Sequence, residues 1–297
     1  MTELEETYER LLAKPGVVFL MGGIDTGKTT AGVELVRRAV AEGLSCALVD
    51  ADIAQSTVGP PTTVGLKFCS GEEDLTSEAL LAADELGFVG SITPRGHLLA
   101  LVAAVAKLVT RARKNGCRLI VIDTTGFVSG LYGQTLKFHK MELAMPNWVL
   151  AFERGGELEP LVGIAHRFLS AEVVEHQVSP EIPARSVEER TAFRERQFAA
   201  YFTSHASRWR VKPTVFMPTL PPEFDLALLD GMVVGMEDGA GRCAGIGVLE
   251  YDATEDILRM MSPVTRGVRG LRLGSVRIGT DGRSKGPVDF RNLFHTE

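Results

Sequence analysis

The 297-residue sequence predicts an α/β fold, a mostly parallel sheet flanked by helices, followed by a small C-terminal antiparallel β domain. Three observations carry that expectation. Apolar strand-like runs alternate with helical periodicities through the first two thirds of the chain, and a glycine-rich turn separates the first run from the first long helix. Beyond Pro213 the helical period fades, and short Val/Ile/Leu runs stand between glycines. The composition, 45% hydrophobic and 24% charged, is that of a folded globular chain and excludes disordered and fibrous classes. No apolar run approaches the roughly 18 residues a membrane span needs. The acidic start MTELEETYER lacks the basic character of a secretory leader, so a cytoplasmic protein without membrane contact is expected. The four cysteines form no Cys-x-x-Cys pair, which argues against a zinc knuckle or a disulfide framework.

The elements follow in order. Residues 3–13 read as a short amphipathic helix, and Val17–Met21 as a buried parallel strand ending in Gly22-Gly23. A helix runs through Val33 to Ala41 and stops at Gly43. The next run, Cys46–Val49, delivers Asp50 and Asp52 to the end of a second strand. Residues 98–114 have helical spacing and stop at Asn115-Gly116, and Leu119–Ile122 makes a third buried strand ending at Asp123. Further strands are expected at Trp148–Phe152 and Ala171–Glu175, with a helix over Leu158–Leu169 between them. The expected division is a nucleotide domain over residues 1–212, with a lid segment at about 183–203, and a β domain over 213–297.

The strand–turn–helix at residues 17–41 contains Gly22-Gly23-Ile24-Asp25-Thr26-Gly27-Lys28-Thr29-Thr30, which fits G-x-x-x-x-G-K-[ST] in its required context. The fold class therefore narrows to a P-loop NTPase. Backbone N–H groups of such a loop curl around phosphates, the lysine reaches the β and γ oxygens, and the Thr29 hydroxyl ligates Mg²⁺. ATP or GTP, with Mg²⁺, is the expected cofactor.

Asp50 and Asp52 follow the second strand, where a carboxylate can accept the proton of an attacking hydroxyl, hold Mg²⁺, or cap the turn. Asp123 competes for the metal role, and spacing alone leaves base and metal ligand undivided between Asp50 and Asp123. After Asp123 comes a glycine-flexed loop, Thr124-Thr125-Gly126-Phe127. Phe127 in that loop either stacks on a base or packs on the core. Arg190 and Arg194 are four apart, so a helix would present both guanidiniums on one face to grip phosphate. The segment from Arg185 to Lys212 carries seven basic and three acidic residues in a chain of net charge −6. A second basic run (Arg266, Arg269, Arg272, Arg277, Arg283, Lys285) fits either a nucleic-acid track or a solvated surface. The six histidines, among them His97, His176, His205 and His295, show no metal-ligand spacing.

Taken in order, these motifs resemble the polynucleotide 5′-hydroxyl kinase family that includes the RNA kinase of the mRNA 3′-end cleavage factor and the nucleolar pre-rRNA processing kinase. The P-loop is followed by Asp50-x-Asp52-x-x-Gln55, similar to that family's D-x-D-x-G-Q, and Gly87 to Pro94 is similar to its F-x-G-x-x-x-P turn. Thr124-x-Gly126-Phe127 resembles T-x-G-W, and Arg190-x-x-x-Arg194 resembles the lid. The chain departs from the pattern at Phe127 for tryptophan, Ala54 for glycine and Ser129 for lysine. The resemblance implies transfer of the ATP γ-phosphate to the 5′-hydroxyl of single-stranded RNA or DNA. It implies Asp50 as general base, Lys28, Thr29 and the loop residues on phosphates and Mg²⁺, and Arg190 and Arg194 as lid arginines. Asp52, Gln55, Thr124, Gly126 and Phe127 would meet the substrate, and protein partners stay unassigned. The rival readings are a P-loop small-molecule kinase and a non-catalytic ATP-binding scaffold in nucleic-acid processing.

Overall fold

The computed structural model describes residues 2–179, 183–203 and 206–294; His205 and His295 lie outside the described residues. The first part of the chain runs α1 (Glu3–Ala13), β1 (Val17–Gly22), α2 (Lys28–Ala41), β2 (Cys46–Ala51), β3 (Thr63–Cys69), α3 (Ser77–Leu81), β4 (Glu85–Phe88) and α4 (Leu98–Lys114). It continues through β5 (Leu119–Thr124), α5 (Gly130–Ala144), β6 (Trp148–Glu153), α6 (Glu159–Phe168), β7 (Glu172–Gln177) and α7 (Val187–Thr203). Strands β8 (Ser207–Val211), β9 (Phe216–Met217), β10 (Met232–Glu237), β11 (Cys243–Asp252), β12 (Ile257–Ser262), β13 (Gly270–Ile278) and β14 (Ser284–Pro287) follow, and α8 (Phe290–Phe294) closes the described chain.

Five strands pair in parallel in the order β2-β5-β1-β6-β7, with β1 at the centre. Every residue of β1 is buried, because helices cover both faces of the sheet. Its alternate side chains divide between two cores. Phe19 and Met21 join residues of α4, α5 and α6, whereas Val18 and Leu20 join Tyr8 and Leu11 of α1 and Leu35 and Val36 of α2. This two-sided burial is why the strands read as continuous apolar runs.

Beyond β2 the sheet changes sense, since β3 and β4 add antiparallel, two strands that the sequence did not announce. A single pairing, Leu86 with Cys243, then joins β4 to β11 and to the antiparallel C-terminal strands. Strand β8 pairs with β12, so the antiparallel unit begins ahead of the change in composition at Pro213. The reason lies in its alternation: Trp209 and Val211 pack on the C-terminal core while Arg208 and Arg210 point away, and the basic residues hide the strand signal.

Helix α7 is anchored where the two parts meet. Phe198 and Phe202 are buried with Phe88 of β4, Ile246 of β11 and Val276 of β13, and the Tyr201 hydroxyl accepts the N–H of Ile246 at 3.0 Å. On its other side the Gln197 amide donates to the Ser56 carbonyl at 2.9 Å. Truncating Phe198 to alanine empties a core position and is expected to lower the unfolding free energy by about 3–5 kcal/mol in urea titration. An effect below about 1 kcal/mol would show that α7 is not packed as described.

Candidate active site

β1 delivers the chain to Gly22, where an added Cβ would lie 2.6 Å from the Phe152 carbonyl oxygen, and the loop turns at Gly27 with φ of +82°, the left-handed region that glycine adopts without strain. Helix α2 therefore starts directly at Lys28, five residues before the amphipathic period declares itself, and its N-terminus faces the loop with positive dipole character. The Lys28 ammonium is buried and donates to the Gly23 carbonyl at 2.5 Å and the Thr26 hydroxyl at 3.3 Å. Burial lowers its pKa against the opposing charges of Asp123, Asp52 and Asp25. The Thr29 hydroxyl donates to Asp123 at 2.5 Å, and the second Asp123 oxygen accepts the Thr124 N–H at 2.8 Å. A hydroxyl steadied by one carboxylate suits Mg²⁺, which keeps several waters and takes its remaining ligands from phosphates. No group of three His, Cys, Asp or Glu residues able to cage a metal exists among the described residues.

Asp50 is placed differently from the expectation. Its carboxylate accepts the N–H groups of Asp52 at 2.8 Å, Thr57 at 2.5 Å and Val58 at 2.9 Å, with only 1% of the residue exposed. Burial, then the charges of Asp123 and Asp52, push its pKa well above the ordinary carboxylate range. A raised pKa would suit a general base, but geometry comes first, and Asp50 does not line the cavity. These hydrogen bonds hang the loop 52–58 from the end of β2. Asp52 lines the cavity instead. One of its oxygens accepts the N–H groups of Ala54 and Gln55, both at 3.1 Å, and the other has no hydrogen bond among the described residues.

Thr124 lies deeper than its neighbours. It is fully buried, its hydroxyl donates to the Leu20 carbonyl at 2.7 Å and accepts from the Lys137 ammonium at 2.5 Å, so it braces β5 against β1 rather than meeting a substrate. Its neighbours Thr125, Gly126 and Phe127 do line the cavity. Gly126 is required by a close approach, because a Cβ there would fall 2.6 Å from the Ile24 nitrogen of the phosphate loop. The Phe127 ring lies between the core and the cavity. It packs partly on the core and keeps a face at the cavity, with the Arg95 guanidinium 5.8 Å from its centroid.

The lid closes the cavity from above. Arg185 donates its Nε to one Asp25 oxygen and its N–H to the other, both at 2.9 Å, and Arg190 approaches the second at 3.5 Å. Asp25, itself at φ of +53°, thus ties the phosphate loop to the lid. Burial raises its pKa, but the hydrogen bonds and charges of Arg185, joined by Arg190, outweigh burial and leave it lowered. Arg194 lies half-buried on the same face as Arg190, bonded to the Thr191 hydroxyl at 3.3 Å. The Gln55 amide donates to the Arg190 carbonyl at 3.0 Å and so joins loop 52–58 to the helix.

One cavity of about 600 Å³ therefore gathers Ile24 to Thr30, Asp52, Gln55, Gly126, Phe127, Arg190 and Arg194. Phe193, Ile92 and Pro94 complete its wall, and no spacing in the sequence pointed to Phe193. A second cavity of about 690 Å³ meets the same Thr26, Gly27 and Thr30 from the side of α1, with Phe152 and His176 in its lining. Three residues of the basic C-terminal run form ion pairs, Arg272 with Glu237, Arg283 with Asp281 and Lys285 with Asp230, and Arg277 donates to the Leu228 carbonyl at 2.5 Å.

Asparagine at position 50 would turn one acceptor into a donor facing backbone N–H groups. Asp50→Asn is accordingly expected to destabilise the fold by about 1–3 kcal/mol in denaturant unfolding. Unchanged stability would reopen a direct role for Asp50.

Residues 22–204 match the family described as mRNA cleavage and polyadenylation factor CLP1 P-loop. The polyribonucleotide 5′-hydroxyl-kinase of Pyrococcus abyssi is 27% identical over 95% of this chain and 93% of its own length. That of Thermococcus kodakarensis is 28% identical over 92% and 91%. Among solved structures, a chain of the wild-type Clp1p–Pcf11p complex superposes with a TM-score of 0.74 at 13% identity, covering 92% of this chain and 78% of that one, a likeness in fold. No described helix is long and apolar enough to cross a membrane. With more than half of its residues matched, this chain belongs to the CLP1 P-loop family.

Proposed function

We propose that the protein is an ATP-dependent polynucleotide 5′-hydroxyl kinase acting on RNA. The observation that carries the reading is the composition of one cavity: a phosphate loop, a carboxylate with an unengaged oxygen, an aromatic face and two arginines. Those are the parts phosphoryl transfer to a hydroxyl needs, since its catalysis consists of positioning and charge stabilisation. The names of the curated relatives, polyribonucleotide 5′-hydroxyl-kinases, favour RNA as acceptor.

In this reading the N–H groups of residues 23–30 and the Lys28 ammonium bind the β and γ phosphates. Thr29, steadied by Asp123, holds Mg²⁺, which offsets the phosphate charge. The base and ribose of ATP extend into the second cavity beside Thr30. Phe127 stacks on the terminal base and brings the 5′-oxygen to the γ-phosphorus. Asp52 accepts the hydroxyl proton as the oxygen–phosphorus bond forms and the bond to the β-phosphate oxygen breaks, releasing ADP. Arg194 and Arg190 steady the transferring group, with Arg190 exchanging Asp25 for phosphate.

Label from γ-labelled ATP should appear at the 5′ end of 5′-hydroxyl RNA, and failure to label any polynucleotide would sink the reading. In Asp52→Asn the remaining oxygen can still accept the Ala54 and Gln55 N–H groups, so the fold is kept. Turnover should fall about 10²–10⁴-fold while the melting temperature stays put. Wild-type turnover in this variant would remove Asp52 from the chemistry.

A further inference from the structure

Helix α5 carries two lysines, Lys137 and Lys140, one turn apart, and both are completely buried. A buried ammonium loses its hydration and is costly unless paired, so an apolar residue would serve the core better at either position. The Lys137 ammonium donates to the Thr124 hydroxyl at 2.5 Å and the Thr125 carbonyl at 2.7 Å. Those are the two residues between Asp123, which steadies Thr29, and the Gly126-Phe127 face of the cavity. Lys140 has no hydrogen-bond partner among the described residues. It feels the charges of Asp52, Asp123 and Asp50, and its pKa is lowered to about 8 by burial. Three aspartates stand at and just beyond the ends of β2 and β5, and Lys137 and Lys140 both lie within reach of their charge.

We propose that Lys137 and Lys140 are positioning residues for phosphoryl transfer, Lys137 by fixing the 124–127 loop that presents the acceptor and Lys140 by offsetting the negative charge of the aspartate cluster from behind. The inference rests on the kinase reading above. It explains why two ammonium groups sit beneath a sheet that would be sounder without them, and neither touches the reacting groups.

The test is Lys137→Met and Lys140→Met, which keep the length of the side chain and remove its charge. Each is measured for melting temperature, for KM of ATP, and for kcat and KM of a 5′-hydroxyl RNA oligonucleotide. Binding of that oligonucleotide is read separately by fluorescence anisotropy. Lys140→Met should melt at or above the wild-type temperature and lose kcat about tenfold or more. Lys137→Met should weaken oligonucleotide binding and raise its KM about tenfold, with the KM of ATP changed less than about twofold. Wild-type kcat and KM in both variants would overturn the proposal. So would a fall in melting temperature with equal loss of ATP and RNA affinity, the mark of a merely structural role. A wild-type protein that labels no polynucleotide would remove the kinase reading and this inference together, whereas an active wild type with unaffected variants removes this inference alone.

Discussion

The parallel register of β2 against β5, which sets Asp50 opposite Asp123, is the constraint on which the site depends. Two carboxylates at neighbouring strand ends in a buried setting repel, and each must be given a partner. The chain solves this by giving them different tasks. Asp123 takes the Thr29 hydroxyl and faces the phosphate loop, while Asp50 takes three backbone N–H groups and becomes the anchor of a loop. That anchoring turns the third carboxylate, Asp52, outward into the cavity. The acid with the more perturbed surroundings is thus the structural one, and the accessible acid is positioned by it.

A second consequence concerns the lid. Loop 52–58 is bonded to α7 through Gln55 and Gln197, and Arg190 of α7, with Arg185 just ahead of the helix, meets Asp25 of the phosphate loop. The same helix buries Phe198 and Phe202 among strands of both sheet regions. The C-terminal strands therefore support the lid from behind. Several of their basic residues are ion-paired, whereas Arg185, just ahead of α7, and Arg190 and Arg194 on it line the cavity.

How much of this was legible in the sequence follows from the kind of signal each part leaves. Strands β1, β2, β5 and β6 are buried on both faces and read as unbroken apolar runs, and the phosphate loop has a spacing of its own. β3 and β4 were invisible because Gly65, Lys67 and Gly87 interrupt their apolar residues, and β8 because its arginines alternate with Trp209 and Val211. The lid arginines could be found from their four-residue spacing on a helix. The different surroundings of Asp50 and Asp52 could not, because they depend on which carboxylate meets the N–H groups of residues 57 and 58, a contact made only when the loop closes. The direction of the Thr124 hydroxyl was hidden for the same reason, since it is fixed by Leu20 and by Lys137, thirteen residues further along the chain.

The central claim is that an acceptor hydroxyl meets the γ-phosphate beside Asp52 under the lid. The most direct measurement is a crystal structure with a non-hydrolysable ATP analogue, Mg²⁺ and a short 5′-hydroxyl RNA. The 5′-oxygen is expected about 3–3.5 Å from the γ-phosphorus and within hydrogen-bond reach of Asp52, about 2.6–3.2 Å, with the terminal base against Phe127. An acceptor end seated away from Asp52, or bound along the C-terminal strands, would contradict it.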